Sequence, residues 1–201
     1  MNNGIFSRKY GFRMRHKNYH LFKRILDVVV SSVLLVLLSP LFLVVSILIW
    51  FQDKGPVIYT QERLGKDSKP FMIYKFRSMK ISAPVVAAKD LDSDAYITPV
   101  GRFIRRTSMD ELPQLVNILR GEMSFVGPRP LISNEGTIIE KRKKLGIDKS
   151  IPGLTGWAQI MDRQIENQEM KIELELYYLE NQSLWFDIKV MGLTLFSLQG
   201  E

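Results

Sequence analysis

Val28 to Phe51 reads VVVSSVLLVLLSPLFLVVSILIWF, 24 residues without a formal charge, ending in the aromatic pair Trp50-Phe51 and followed by Asp53, Lys54 and Gly55. As a straight helix such a run measures about 36 Å at about 1.5 Å per residue, enough to cross a hydrocarbon core of about 30 Å. Ser39-Pro40 lies at the midpoint and divides it into 12 residues, Val28 to Ser39, and 12 residues, Pro40 to Phe51. Each half reaches only about 18 Å, roughly one leaflet. Pro40 lacks the amide that would bond the Val36 carbonyl, and its ring crowds that carbonyl, so a kink is expected, with the Ser39 hydroxyl satisfying part of the freed backbone. Two readings stay open: one kinked span, or a helix-break-helix that enters and leaves on the same side. A cleavable signal peptide fits less well, because the run is too long and no small-residue cleavage motif follows it.

The flanks of this run carry the net charge. The chain of 201 residues has 28 Lys plus Arg against 21 Asp plus Glu, a formal +7. Arg8, Lys9, Arg13, Arg15, Lys17, Lys23 and Arg24 supply all of it before the first acid, Asp27, and the remaining 175 residues are neutral. A basic leader running straight into an apolar segment points to anionic lipid rather than nucleic acid, and it should remain cytoplasmic. A spanning helix would then export everything after Phe51, so cytosolic chemistry in that part would require re-entry.

The composition, 46% hydrophobic and 24% charged, suits one folded domain. With no Cys there is no disulfide framework, zinc-thiolate site or cysteine nucleophile. Pro56 to Thr60 and Phe71 to Phe76 read as two strands of a small hairpin around the polar turn Gly65 to Pro70. Ser82 to Asp94 has no clear period and reads as a connection, a candidate lid. Gly101 to Arg106 leads into a short helix ending near Arg120 and stopped by Gly121. Gly127 to Pro130 and Pro152 to Gly156 read as loops, Gln164 to Asn181 as a helix. Leu184, Ile188, Met191, Leu195 and Leu198 follow helical spacing, a stripe for core or membrane-surface packing that also leaves a homodimer open.

Chemistry concentrates in Gly101 to Pro130, GRFIRRTSMDELPQLVNILRGEMSFVGPRP. Ser108 and Glu111 have capping-box spacing, and Asp110, Glu111 and Pro113 suit a first helical turn, so the two acids can be mere helix starters. Arg102, Arg105, Arg106 and Arg129 around them suit anionic oxygens. A helix N-terminus would favour bound phosphate and keep a carboxylate ionised. A carboxylate beside phosphate is a magnesium ligand or a nucleophile, and adjacent Asp110 and Glu111 can divide those roles. Competing sites are poorly supported. Neither a lysine-containing phosphate loop nor G-x-G-x-x-G occurs, and the only histidines, His16 and His20, lie in the leader.

Several stretches together resemble the bacterial sugar transferases, the monotopic phosphoglycosyl transferases. They are Lys23-Arg24 with Asp27, Ser39-Pro40 and Lys75 to Met79; then Asp110 to Leu115, Met123 to Pro130 and Pro152 to Gln159. The resemblance runs from about Phe22 to Leu198. It implies a helix-rich α+β fold: an N-terminal re-entrant membrane hairpin with a hinge at Ser39 and Pro40, then a small cytoplasmic catalytic domain containing a short β-hairpin and amphipathic interfacial helices. The corresponding divisions are 1–21, a basic extension; 22–54, the membrane hairpin; and 55–201, the catalytic domain.

The implied activity transfers a sugar 1-phosphate from a UDP-sugar to polyprenol phosphate at the bacterial inner membrane, opening glycan assembly. Asp110 matches the nucleophile, and Glu111, with Asp110, would bind Mg²⁺. Arg129 would hold phosphate, and Arg77, Arg105, Pro128, Thr155, Gly156, Gln159 and Arg163 would complete the substrate site. Family members often carry Gly-Arg after the Trp-Ala-Gln segment, where this chain has Asp162-Arg163. The rival from another class is a single-pass anchored binding or scaffold protein in which the acid pair only caps a helix; a peripheral nucleic-acid binder using the leader is a weaker one.

Overall fold

The computed structural model describes residues 17–83, 93–161 and 167–198. The apolar run forms two helices, α1 (Lys17–Leu37) and α2 (Ser39–Gln52), with Pro40 in the first turn of the second. They are bent by 60° at the break. The Ser39 hydroxyl donates to the Val36 carbonyl at 2.8 Å, the bond expected to replace the missing proline amide. No single helix among the described residues is long and apolar enough to cross a membrane; the bent pair passes only as a pair. Its outward side is apolar, with Val29, Val33, Val36, Leu37, Leu43, Val44, Leu48 and Phe51 exposed.

After α2, β1 (Ile58–Leu64) and β2 (Pro70–Phe76) form an antiparallel hairpin, from Ile58 opposite Phe76 to Leu64 opposite Pro70. The strands therefore run past Thr60 through polar Gln61-Glu62-Arg63. Alternation lets those residues occupy a strand without entering the core. The turn is closed by Gly65 N–H donating to the Lys69 carbonyl at 2.8 Å, with Asp67 in a left-handed conformation (φ 56°). Opposite faces of β2 serve two cores. Phe76 packs with Val45 and Ile49 of α2 and with Ile104, while Ile73 packs with Leu115, Ile118 and Met123.

The helix expected to run through the acid pair is three pieces. A helical turn, α3 (Ser93–Tyr96), precedes α4 (Pro99–Arg106). Thr98 caps α4, its hydroxyl accepting the Gly101 N–H at 2.9 Å, with Pro99 at the first position. Met109–Glu111 is one 3-10 turn, and α5 (Gln114–Arg120) starts only after Pro113. The capping box does not form: Ser108 is left-handed (φ 53°) and its side chain caps nothing. Thr98-Pro99 outcompetes it as a helix start, and Pro113, lacking an N–H, separates the turn from α5. Gly121 ends α5 in the left-handed conformation (φ 84°), as expected of a glycine stop.

Beyond α5, β3 (Ser124–Val126) pairs in parallel with β4 (Gly153–Thr155), so part of the second expected loop is a strand. Between them lies α6 (Gly136–Leu145). The last described elements are α7 (Trp157–Met161), α8 (Gln168–Asn181) and α9 (Leu184–Leu198). Val126, Ile147, Ile172, Tyr178, Leu179 and Val190 form the third core, under α8 and α9. Most of the candidate lid, and residues 164–166 of the expected helix, lie outside the described residues.

The start of α1 is pinned to the rest of the chain. Buried Asp187 of α9 accepts from Lys23 Nζ at 2.6 Å, Tyr19 at 2.8 Å and Tyr178 at 2.7 Å. Arg24 donates to the last-turn carbonyls of Ile118 and Leu119, at 2.6 and 2.7 Å, and Asp27 accepts the Phe125 N–H at 3.2 Å. Lys23 and Arg24, read from sequence as lipid-facing charge, are therefore occupied within the protein.

Candidate active site

The 3-10 turn sets Asp110 and Glu111 against β2. Glu111 pairs with Lys75 Nζ at 2.6 Å, and β2 itself is fastened to α5 by fully buried Asn117. The Asn117 amide donates to the Met72 carbonyl at 2.7 Å and its oxygen accepts the Tyr74 N–H at 3.1 Å. The Asp110 carboxyl is raised above the ordinary aspartate range, first by burial and then by the charge of Glu111, with Lys75 and Arg105 opposing. A helix N-terminus was expected to hold it ionised; a three-residue turn has no comparable dipole, so desolvation wins.

A polar cleft opens beside the turn, lined by Arg63, Lys75, Glu111, Gln114, Arg129 and Gln159, with Ile73, Pro130, Gly153 and Leu154 completing its wall. The hairpin supplies three of these because register places Arg63, Ile73 and Lys75 on one face. An adjoining hollow is lined by Pro128, Arg129, Gly156, Trp157, Gln159, Glu175 and Tyr178. Gly127-Pro128-Arg129-Pro130 and the second glycine-rich segment meet backbone to backbone. A Cβ on Gly153 would lie 2.1 Å from the Gly127 nitrogen, and one on Gly156 would lie 2.2 Å from the Gly127 carbonyl oxygen. Behind them the buried Arg142 guanidinium grips Glu175 through Nε at 2.8 Å and through Nη2, while Nη1 donates to the Arg129 carbonyl at 2.8 Å.

The residues singled out from sequence divide accordingly. Glu111, Arg129 and Gln159 meet in the cleft, with Pro128 and Gly156 next door. Arg105 donates from Nε to the Ser78 hydroxyl at 2.8 Å and reaches Asp110 through its charge. Arg77 is buried at the end of α2, donating to the Asp53 carbonyl and lying 3.7 Å from its carboxylate. The Thr155 hydroxyl turns to Thr194 of α9 at 2.7 Å. Arg163 lies outside the described residues. Lys75 and Gln114 entered only as motif members without a role, and Arg63, Arg142 and Glu175 were not singled out; strand alternation could have found Lys75, which shares a face with Ile73, whereas Arg63 lay beyond the expected strand and the Arg142–Glu175 pair is joined only by tertiary packing.

A model of the bacterial sugar transferase family matches residues 18–200. The chain belongs to this family. Among its relatives, the UDP-glucose:undecaprenyl-phosphate glucose-1-phosphate transferase of Escherichia coli (strain K12) is 40% identical over 191 residues, covering 88% of this chain and 40% of the relative. The undecaprenyl-phosphate galactose phosphotransferase of Salmonella typhimurium is 39% identical over 194 residues, 86% of this chain and 39% of the relative. The exopolysaccharide production protein ExoY of Rhizobium meliloti (strain 1021) is 36% identical over 189 residues, 86% of this chain and 83% of the relative. The chain thus spans about two fifths of the length of the first two sugar transferases and most of the third.

Proposed function

We propose that this chain transfers a sugar 1-phosphate from a UDP-sugar to a polyprenol phosphate such as undecaprenyl phosphate, giving polyprenyl-diphosphate-sugar and UMP. The observation that carries this reading is the acid pair Asp110-Glu111 on one turn beside a cleft lined by Arg63, Lys75 and Arg129. The activities for which the relatives from Escherichia coli and Salmonella are named supply the substrate classes. In the first step an Asp110 carboxylate oxygen attacks the β-phosphorus, an O–P bond forms, the bond to the bridging oxygen breaks, and UMP leaves with that electron pair. In the second, an oxygen of the lipid phosphate attacks the same phosphorus and the carboxylate departs. Covalent capture lets a water-soluble donor and a lipid acceptor use one site in turn. The desolvation that raises the Asp110 carboxyl also leaves its oxygen poorly solvated and ready for an electrophile.

Asp110 and Glu111 fit Mg²⁺ in the mode that this ion prefers, one or two carboxylates shared with substrate phosphate rather than an all-protein cage. A bound ion would neutralise charge on the diphosphate. Lys75 and Arg129 hold the phosphoryl oxygens, and Gln159 and Gln114 offer neutral hydrogen bonds. The bent pair α1–α2, through its residues 22–52, enters the bilayer and returns, keeping residues 55–201 on the cytoplasmic face of the inner membrane. A homodimer through the exposed apolar side of α9, which carries Trp185, Ile188 and Leu195, is compatible with this placement.

The test is Asp110→Asn. The purified variant should release no UMP from any UDP-sugar that wild type uses, and wild type incubated with donor alone should gain the mass of a phosphosugar. Undiminished turnover by the variant would refute the nucleophile.

A further inference from the structure

The cleft holds more cationic charge than its carboxylates answer. Arg63, Lys75 and Arg129 line it against one acid, Glu111, which Lys75 already pairs at 2.6 Å. Neither Arg63 nor Arg129 forms an ion pair among the described residues. Arg63 donates from Nη1 to the Pro130 carbonyl at 3.3 Å and from Nη2 to the Gln61 side-chain oxygen at 2.7 Å, while its Nε–H is buried without a partner. A half-buried guanidinium with a shielded, unspent donor is costly unless a nearby anion offsets its charge. The positive charge of Arg129 adds to burial in disfavouring the cation, with the carboxylates of Glu135 and Glu111 opposing from outside hydrogen-bond reach. Two guanidinium groups bordering one cleft, with a single carboxylate between them already paired to Lys75, suit an anionic oxygen-rich ligand.

We infer that Arg63 is a substrate-binding residue that, with Arg129, holds the nucleotide phosphate of the donor, the group that departs as UMP. This rests on the transferase reading and adds a residue that the sequence motifs did not single out. The two phosphates share a bridging oxygen, so the side chains that hold them must converge on one cleft from separate points on the hairpin. Lys75 stands opposite Tyr59 and Arg63 opposite Phe71, four residues along each strand, about 13 Å. Lys75 serves the turn that bears Asp110 and Glu111, where the phosphoryl group is transferred. The Ile58–Phe76 end is the one tied to α2 through Arg77 and Asp53, the side from which a lipid acceptor arrives. Arg63 lies toward the opposite end, where the water-soluble nucleotide is left to bind.

The experiment titrates the full chain in nanodiscs with UMP and with uridine by calorimetry, comparing wild type with Arg63→Gln and Arg63→Lys. Arg63→Gln keeps a donor for the Pro130 carbonyl but removes the charge. It should weaken UMP at least about tenfold, lower the salt dependence of UMP binding and leave uridine within about twofold, at an unchanged melting temperature. Wild-type affinity for UMP, or parallel losses of UMP and uridine, would overturn the assignment. Should Arg63→Gln fail to fold, Arg63→Lys decides: it keeps the charge and loses the fork, so UMP should weaken several-fold with uridine unchanged, and undiminished UMP affinity would overturn the inference. Wild type that binds no UMP would sink the transferase reading as well, a result distinct from any effect confined to the variants.

Discussion

Replacing Glu175 with Leu should leave the Arg142 guanidinium buried without its counterion. The two side chains are only 11% and 5% exposed, and the pair is bidentate, so water cannot readily replace the carboxylate. Burial raises the Glu175 carboxyl and Arg142 pulls it back, which is the signature of a charge that depends on its partner. Breaking such a pair from one side costs about 3–5 kcal/mol, whereas removing both charges is often neutral or stabilising. For a chain of this size that corresponds to a fall in melting temperature of about 6–20 °C for Glu175→Leu, restored by adding Arg142→Met. Activity should not be restored. Arg142 also holds the Arg129 carbonyl at 2.8 Å, and the double variant abandons that hold, so its UMP release should stay well below wild type despite a recovered melt. Melting curves in detergent and a UMP-release assay read both quantities. A Glu175→Leu protein melting within about 2 °C of wild type would refute the stability argument, and full turnover by the double variant would refute the link to the loop.

Three further outcomes are expected. Because the reactive form of Asp110 is the carboxylate and its pKa is raised, adduct formation from donor alone should fall with decreasing pH at a higher pH than an ordinary aspartate, about 3.9, would allow; an acid limb at or below that value would contradict the burial argument. Tyr178 is held well above the usual phenol range by burial and then by Asp187, so the folded state keeps a proton that the unfolded chain loses near pH 10. That stability is present below about pH 10 and lost above it, so Tyr178→Phe should show a shallower decline in melting temperature between pH 9 and 11, and superimposable profiles would count against it. A cysteine at position 60, in a chain with none of its own, should resist an impermeant thiol reagent in intact cells and react after lysis; labelling from outside would place β1 beyond the membrane.

Much of the architecture was legible because it rests on local chemistry. Ser39-Pro40 breaks the apolar run as backbone sterics require, and the hairpin and the glycine stop at Gly121 follow turn rules acting over a few residues. The acid pair and Arg129, grouped from sequence, do lie near one another at the cleft. What stayed hidden depends on partners far along the chain. Whether Ser108 or Thr98 starts a helix is a competition between two plausible caps, decided by how α4 packs Ile104 against α2. Arg77 was read as a substrate ligand from its motif, yet its guanidinium is engaged by Asp53, a contact that no spacing rule announces. The glycines of the two adjoining segments were read as loop formers; their actual work is to let one backbone touch another.

Asp187 accepts from Tyr19 and Lys23, more than 160 positions earlier in the chain. Closing a loop of that length is entropically slow, so these bonds should form late in refolding, after the hairpin and the local helices. Lys23 and Asp187 are each costly to bury alone, so a state in which α1 and α9 have parted must return both charges to water.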